Sequence, residues 1–259
     1  MAESLPFVPL KNVFFDSPIA HRGLHDCNGA FGSGRSENSS SAFISAISFG
    51  YGIELDIQLS ADGVPLVFHD RTLNRLLKIN KKVSELDMNM LRSLRLPNQE
   101  KIPTLDEVLS LVCGKVPILI EMKEQKDLFF RNRGRMEDAV ALLLKQYNGP
   151  VGVMSFNPQS IKLFGMKLPN VPRGLVTGEF HQRDWPHMNE NELLSLRNLS
   201  AVNTIAASFV SHEYSNLGSP YLDQIPKTTK IFSWTIRNVA ELKLALERSH
   251  NVTFEGFLP

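Results

Sequence analysis

Apolar and polar residues alternate strictly over residues 52–59. Ile53, Leu55, Ile57 and Leu59 interleave with Glu54, Asp56 and Gln58. Period two predicts a strand with one apolar face and one charged face. The chain then turns at Asp62-Gly63 and returns through Val64, Leu66 and Phe68 to His69-Asp70. Further short β-rich runs lie at 18–22, 117–123, 151–155, 173–177, 202–206, 230–236 and 253–257. With 52–59 they make eight expected strands.

Helical spacing fills the gaps between them. Phe43, Ala46 and Ile47 repeat on one face after Asn38 and Ser39, both good N-caps. Thr104 and Glu107 form a capping box ahead of Leu105, Val108, Leu109 and Val112. Met136, Ala139, Val140, Leu143, Leu144 and Tyr147 make the clearest amphipathic stripe; Val239, Leu242, Ala245 and Leu246 make another. Strand and helix in alternation imply parallel strands joined by crossovers. The expected fold is α/β, a (β/α)8 TIM barrel in one domain over 1–259, with a small insertion at about 71–102 after the second strand. The 259 residues suit a fold that takes roughly 250. A doubly wound open sheet is the competing arrangement, but no GxGxxG or GxxxxGK[ST] follows the first strand.

Composition narrows the function classes. There are 28 basic and 27 acidic residues, for a net charge of +1, which gives no footprint for nucleic acid. No apolar run reaches the roughly 20 residues of a membrane span. The start shows no basic segment followed by an apolar one, so no signal peptide is expected. Cys27 and Cys113 have no metal-site spacing, and free thiols in a cytoplasmic protein are the default.

The barrel expectation gives the charges a location, because working groups sit at the C-terminal strand ends. The first strand ends in His21-Arg22, the second carries Glu54 and Asp56, the third Glu121 and Lys123, and the seventh Trp234. On that reading the carboxylates face one another rather than water. At roughly 5 Å and an effective dielectric of about 20, each like-charge pair costs on the order of 3 kcal/mol. Either one carboxylate takes a proton or a divalent cation sits among them. Oxygen-only ligands favour Mg2+ or Ca2+ over zinc. His25, His181, His187, His212 and His250 are expected to be structural or surface residues.

The ordered motifs are "AHRG" at 20–23, "EN" at 37–38, "ELDIQLSADGVPLVFHD" at 54–70, "IPTLDEVL" at 102–109, "LIEMK" at 119–123 and "FSWTI" at 232–236. Together they resemble the glycerophosphodiester phosphodiesterase family. The resemblance implies a TIM barrel that hydrolyses a glycerophosphodiester, a small-molecule substrate, to glycerol 3-phosphate and an alcohol. It implies one divalent cation on Glu54, Asp56 and Glu121, and His21 and His69 as the acid–base pair. Arg22 and Lys123 would hold the phosphate, Trp234 would pack against glycerol, and Glu37 and Asn38 would support the site.

There are departures from the family pattern. Ser36 and Ser39 stand where the family has Pro and Thr. A Gly- and Ser-rich loop over 24–36 lengthens the path from His21 to Glu37, and is expected to shape substrate choice. The ending "FEGFLP" lacks the acidic residue that usually precedes the last proline. The alternatives are a lipid-directed phospholipase C or D type enzyme, with 126–133 as a lipid-touching loop, an inactive binding barrel, or a metal-dependent sugar isomerase.

Overall fold

The alternation at 52–59 becomes the second strand of a closed parallel barrel in the computed structural model, which describes residues 4–26, 32, 34–123 and 134–259. The strands are β1 (Ile19–Ala20), β2 (Gly52–Leu59), β3 (Pro65–Val67), β4 (Ile118–Met122), β5 (Val151–Ser155), β6 (Arg173–Thr177), β7 (Phe209–Glu213), β8 (Lys230–Ile236) and β9 (Asn251–Phe254). Their order is β1-β9-β8-β7-β6-β5-β4-β2-β3, and a further β1–β2 pairing closes the ring. Only β3 is antiparallel, folded back on β2 with Ile57 opposite Val67. The eight parallel strands are therefore all but β3, as the strand–helix rhythm predicts.

The helices are α1 (Ser40–Ser48), α2 (Asn74–Leu77), α3 (Met88–Ser93), α4 (Leu105–Val112), α5 (Arg135–Leu144), α6 (Pro158–Lys167), α7 (Glu190–Arg197), α8 (Ala201–Thr204) and α9 (Val239–Leu246). Ile53, Leu55 and Ile57 of β2 join Phe43, Val108, Val140 and Ile161 in the main core between strands and helices. Period two then forces Glu54, Asp56 and Gln58 into the barrel interior. The capping box at α4 forms, with Thr104 N–H donating to Glu107 Oε2 at 2.8 Å and Glu107 N–H to Thr104 Oγ1 at 3.2 Å. Of the two candidate caps before α1, Ser39 serves the helix and Asn38 is taken by the site.

One expected strand is misplaced. Residues 202–206 lie partly in α8, and the strand is β7, further along. Leu199, Val202 and Ile205 share a helical face that packs into the main core. A short apolar run has the same composition whether it is helix or buried strand, and tertiary packing decided. The strand expected at 253–257 pairs two residues earlier, over Asn251–Phe254.

The floor of the barrel is apolar. Leu10 and Phe14 from the N-terminal segment belong to one buried cluster with Ile19, Leu119, Phe209 and Phe232, and the same cluster continues through Met154 and Val176 to the site cavity. Arg173 ties that segment down by donating to the carbonyls of Pro6 and Ile205, and Asn251 donates to Phe14 O and Ser17 O at 2.7 and 2.8 Å. Residues 66–102 carry a second small core of Leu66, Phe68, Leu73, Val83, Leu91 and Ile102 among others. Cys27, much of the Gly/Ser loop (27–31 and 33) and all of 126–133 lie outside the described residues.

Floor packing is tight where Gly174 of β6 meets Phe209. A Cβ there would lie 2.6 Å from the ring and from the Phe209 carbonyl oxygen. Gly174→Ala is expected to destabilise the fold by about 1–3 kcal/mol through overpacking. The midpoint of urea unfolding checks this, and an unchanged midpoint would show that the floor yields.

Candidate active site

β1 ends at Ala20, and the chain then bends sharply. Arg22 has φ 55° and Gly23 has φ 77°. A left-handed non-glycine residue costs of order 1–3 kcal/mol and persists only where its surroundings hold it. Here the bend points Arg22 N–H at Glu54 Oε2, 3.1 Å away, and offers its carbonyl to Asn38 N–H at 2.9 Å. A Cβ on Gly23 would meet the Ala42 backbone at 3.0 Å, so the turn also needs that glycine.

Inside the barrel Glu54, Asp56 and Glu121 are all buried, and each offers an oxygen within 4.8 Å of the others. Asp56 lies deepest. It accepts from Asn38 Nδ2 at 2.9 Å, pairs with Lys123 Nζ at 2.9 Å, and has Arg22 Nε at 3.4 Å. Lys123 Nζ also donates to Glu121 Oε1 at 2.6 Å. Burial pushes the Asp56 carboxyl up, but Lys123, His69, Arg22 and His21 outweigh it and hold the group below the ordinary range. Burial pushes Glu54 up as well, and there it meets less opposition. Repulsion from Asp56 and Glu121 adds to it, so its carboxyl is held well above the usual value. The like-charge cost expected from the sequence therefore falls on Glu54. Oxygen-only donors at this spacing can hold a hard divalent cation.

Both histidines reach the same place. His21, His69, Arg22, Glu54, Glu121, Lys123 and Trp234 line one cavity of about 320 Å³. Phe156 forms its apolar side, set edge-on to Trp234 at 5.9 Å, and Trp234 Nε1 donates to Ser211 O at 2.8 Å. Beyond His21 and Arg22 a second cavity of about 610 Å³ opens between Arg35, Glu37, Arg75, Arg237 and Glu255. Glu37 sits at that rim and accepts from both Arg22 and Arg75. The ten side chains singled out in the sequence thus converge on one end of the barrel.

Comparison with known proteins gives the family. The model of the Glycerophosphoryl diester phosphodiesterase family matches residues 21–251. The chain belongs to that family. Its class is that of the phosphoric diester hydrolases. The Bacillus subtilis protein YhdW is 27% identical over 232 residues, covering 85% of this chain and 86% of its own. Glycerophosphodiester phosphodiesterase 1 of Rattus norvegicus is 35% identical over 181 residues, covering 65% of this chain and 50% of that protein. A phosphodiesterase of Oleispira antarctica, solved with the product sn-glycerol-3-phosphate, superposes with a TM-score of 0.70 at 21% identity. That match covers 97% of this chain and 93% of the other.

The candidate site has a surround beyond the ten side chains singled out in the sequence. His69 Nδ1 lies 2.7 Å from Asp70 Oδ1, and Arg75 clamps Asp70 and Glu37 together. His21 Nδ1 lies 2.6 Å from Glu255 Oε2. His25, expected to be structural or surface, is buried beside that pair with Nε2 3.8 Å from Glu255. The carboxylate that meets His21 comes from directly after β9, four residues before Pro259. Its place directly after a strand was the available signal.

Gln58, the third polar residue of β2, holds His69 in place. Its Nε2 faces three successive carbonyls, Phe68 at 2.9 Å, His69 at 3.2 Å and Asp70 at 2.6 Å. Gln58→Leu would leave these acceptors unpaired. A stability loss of about 1–3 kcal/mol is expected, with faster hydrogen exchange at residues 68–70. Wild-type exchange there would show that the segment is held by other contacts.

Proposed function

We propose that this chain hydrolyses glycerophosphodiesters to glycerol 3-phosphate and an alcohol, and that residues 1–259 form one catalytic domain with an insertion at about 71–102. The observation that carries the reading is the single cavity shared by two imidazoles, buried carboxylates, Arg22 and Lys123. The Oleispira relative, whose structure holds sn-glycerol-3-phosphate, supports the same product here.

Glu54, Asp56 and Glu121 would hold one divalent cation, Mg2+ or Ca2+. The fit rests on their mutual spacing, their oxygen-only donors and the electrostatic load on Glu54. Bound there, the cation supplies positive charge against the phosphoryl oxygens and so favours attack on an anionic diester. The protein's own part begins with charge. Arg22 and Lys123 add two cations at the cavity wall, where low dielectric strengthens their hold on phosphate. Glu37 and Asn38 keep Arg22 and Asp56 in place.

His21 and His69 divide the proton transfers. One ring accepts a proton from the nucleophile, and the other gives one to the leaving alkoxide. The nucleophile is water, or the glycerol 2-hydroxyl by way of a cyclic phosphate; trapping the cyclic product distinguishes the two. Trp234 offers a flat apolar face to the glycerol carbons. The cytoplasm is the proposed place of action. Among the described residues no helix is long and apolar enough to cross a membrane.

Turnover of glycerophosphocholine, coupled to detection of glycerol 3-phosphate, tests the reaction. Activity is expected to vanish with chelator and return with Mg2+ or Ca2+; full activity in chelator would remove the cation from the reading. His21→Ala and His69→Ala are each expected to lower the rate by about 10²- to 10⁴-fold while the protein stays folded. A variant with wild-type turnover would strike that residue from the mechanism.

A further inference from the structure

β1 and β9 are neighbours in the closing ladder, with Ala20 opposite Phe254. The residue after each strand is therefore placed by main-chain bonds. His21 N–H donates to Phe254 O at 2.9 Å, and Glu255 N–H donates to Ile236 O at 3.0 Å. With both backbones fixed, the side chains meet at 2.6 Å, Nδ1 to Oε2. The residues are 234 positions apart, and the closure of the barrel joins them.

A carboxylate oxygen only accepts hydrogen bonds, so a ring nitrogen at 2.6 Å from it must carry the proton. In a neutral imidazole this puts the lone pair on the other nitrogen, Nε2. Glu255 is also held in place. Arg237 pairs with its other oxygen at 2.7 Å, and its side chain is 10% exposed. Arg237 and His21 together keep it an acceptor. His25 Nε2 is buried, has no hydrogen-bond partner and lies 3.8 Å from Oε2, too far to take that oxygen from His21. Glu255 borders the second cavity, whereas His21 borders both. The carboxylate thus stands outside the carboxylate-lined cavity and meets it through the His21 ring and through Arg237, both of which line that cavity.

The second imidazole is built alike. Asp70 backs His69 through Nδ1 at 2.7 Å, and Arg75 holds Asp70. Each histidine has a carboxylate behind Nδ1, and each carboxylate has a guanidinium behind it. For His69 the carboxylate is the next residue in the chain. For His21 it comes from the far end of the chain.

We propose that Glu255 is a positioning residue for His21: by accepting from Nδ1–H it fixes the tautomer and the ring plane that leave Nε2 available to the reacting atoms. The inference rests on the acid–base role proposed for His21. A plain structural ion pair would predict a loss of stability with no selective effect on turnover. Glu255→Gln replaces a fixed acceptor by an amide that can turn and donate, so the tautomer is no longer set.

The test has two arms. In ¹⁵N-histidine spectra of the wild-type protein, His21 is expected as the Nδ1–H tautomer; the Nε2–H tautomer overturns the proposal. In kinetics with a glycerophosphodiester that the wild type turns over, Glu255→Gln is expected to lower kcat by about 10²- to 10⁴-fold. KM should stay within about threefold, since the lost interaction acts in the transition state. Glu255→Asp, which keeps the charge, is expected to recover part of kcat. Unchanged kcat in Glu255→Gln overturns the proposal, as does a loss confined to KM. If Glu255→Gln does not fold, the wild-type spectrum decides. If the wild type turns over no glycerophosphodiester, the proposed function fails while the spectrum still judges the pair.

Discussion

Three buried carboxylates inside a barrel are the constraint on which the rest of the site depends. Glu54, Asp56 and Glu121 lie close enough to share one ion, and burial alone would neutralise them by protonation. Asp56 escapes because Lys123 and Arg22 stand against it and Asn38 hydrogen-bonds to it. Lys123 spans Asp56 and Glu121, and Arg22 spans Asp56 and Glu37. Each cation serves two anions, and each surrounding residue is where it is because of that sharing. The left-handed Arg22 and the loss of Asn38 as a helix cap are local costs of the same arrangement.

The barrel makes the arrangement possible by sorting side chains. Along β2 and β4 every second residue faces the helices and is apolar: Ile53, Leu55, Ile57, Ile118, Ile120 and Met122. The alternate residues turn inward. Near the floor they are Leu119, Phe209 and Phe232; nearer the other end they are Asp56, Glu121, Met154, Val176 and Trp234. The apolar floor contributes to stability, and the charged end holds the candidate site. The N-terminal segment closes the floor through Arg173, Ser208 and Asn251, so the charged end is the one left open.

Around the open end the charges form a chain of pairs. Asp70, Arg75, Glu37 and Arg22 follow one another, and Asp56, Lys123 and Glu121 continue the series. Glu255 and Arg237 stand on the other side of His21. Such a chain fixes the rings without placing a bulky group in the cavity, which stays about 320 Å³.

Much of this was determined by the sequence alone, because period two is local. It assigned Glu54, Asp56 and Glu121 to one face, and the strand–helix rhythm assigned that face to a barrel. The motifs carried His21, Arg22, His69, Lys123 and Trp234 with them. Local pattern was silent where a short apolar run fits either element, so residues 202–206 needed the packing of Leu199, Val202 and Ile205 to become helix. It was silent also on long-range partners. Glu255 meets His21 only because β9 closes against β1, and Arg75 meets Glu37 across 38 positions. Periodicity tells which way a side chain points; only barrel closure decides which distant side chain it meets.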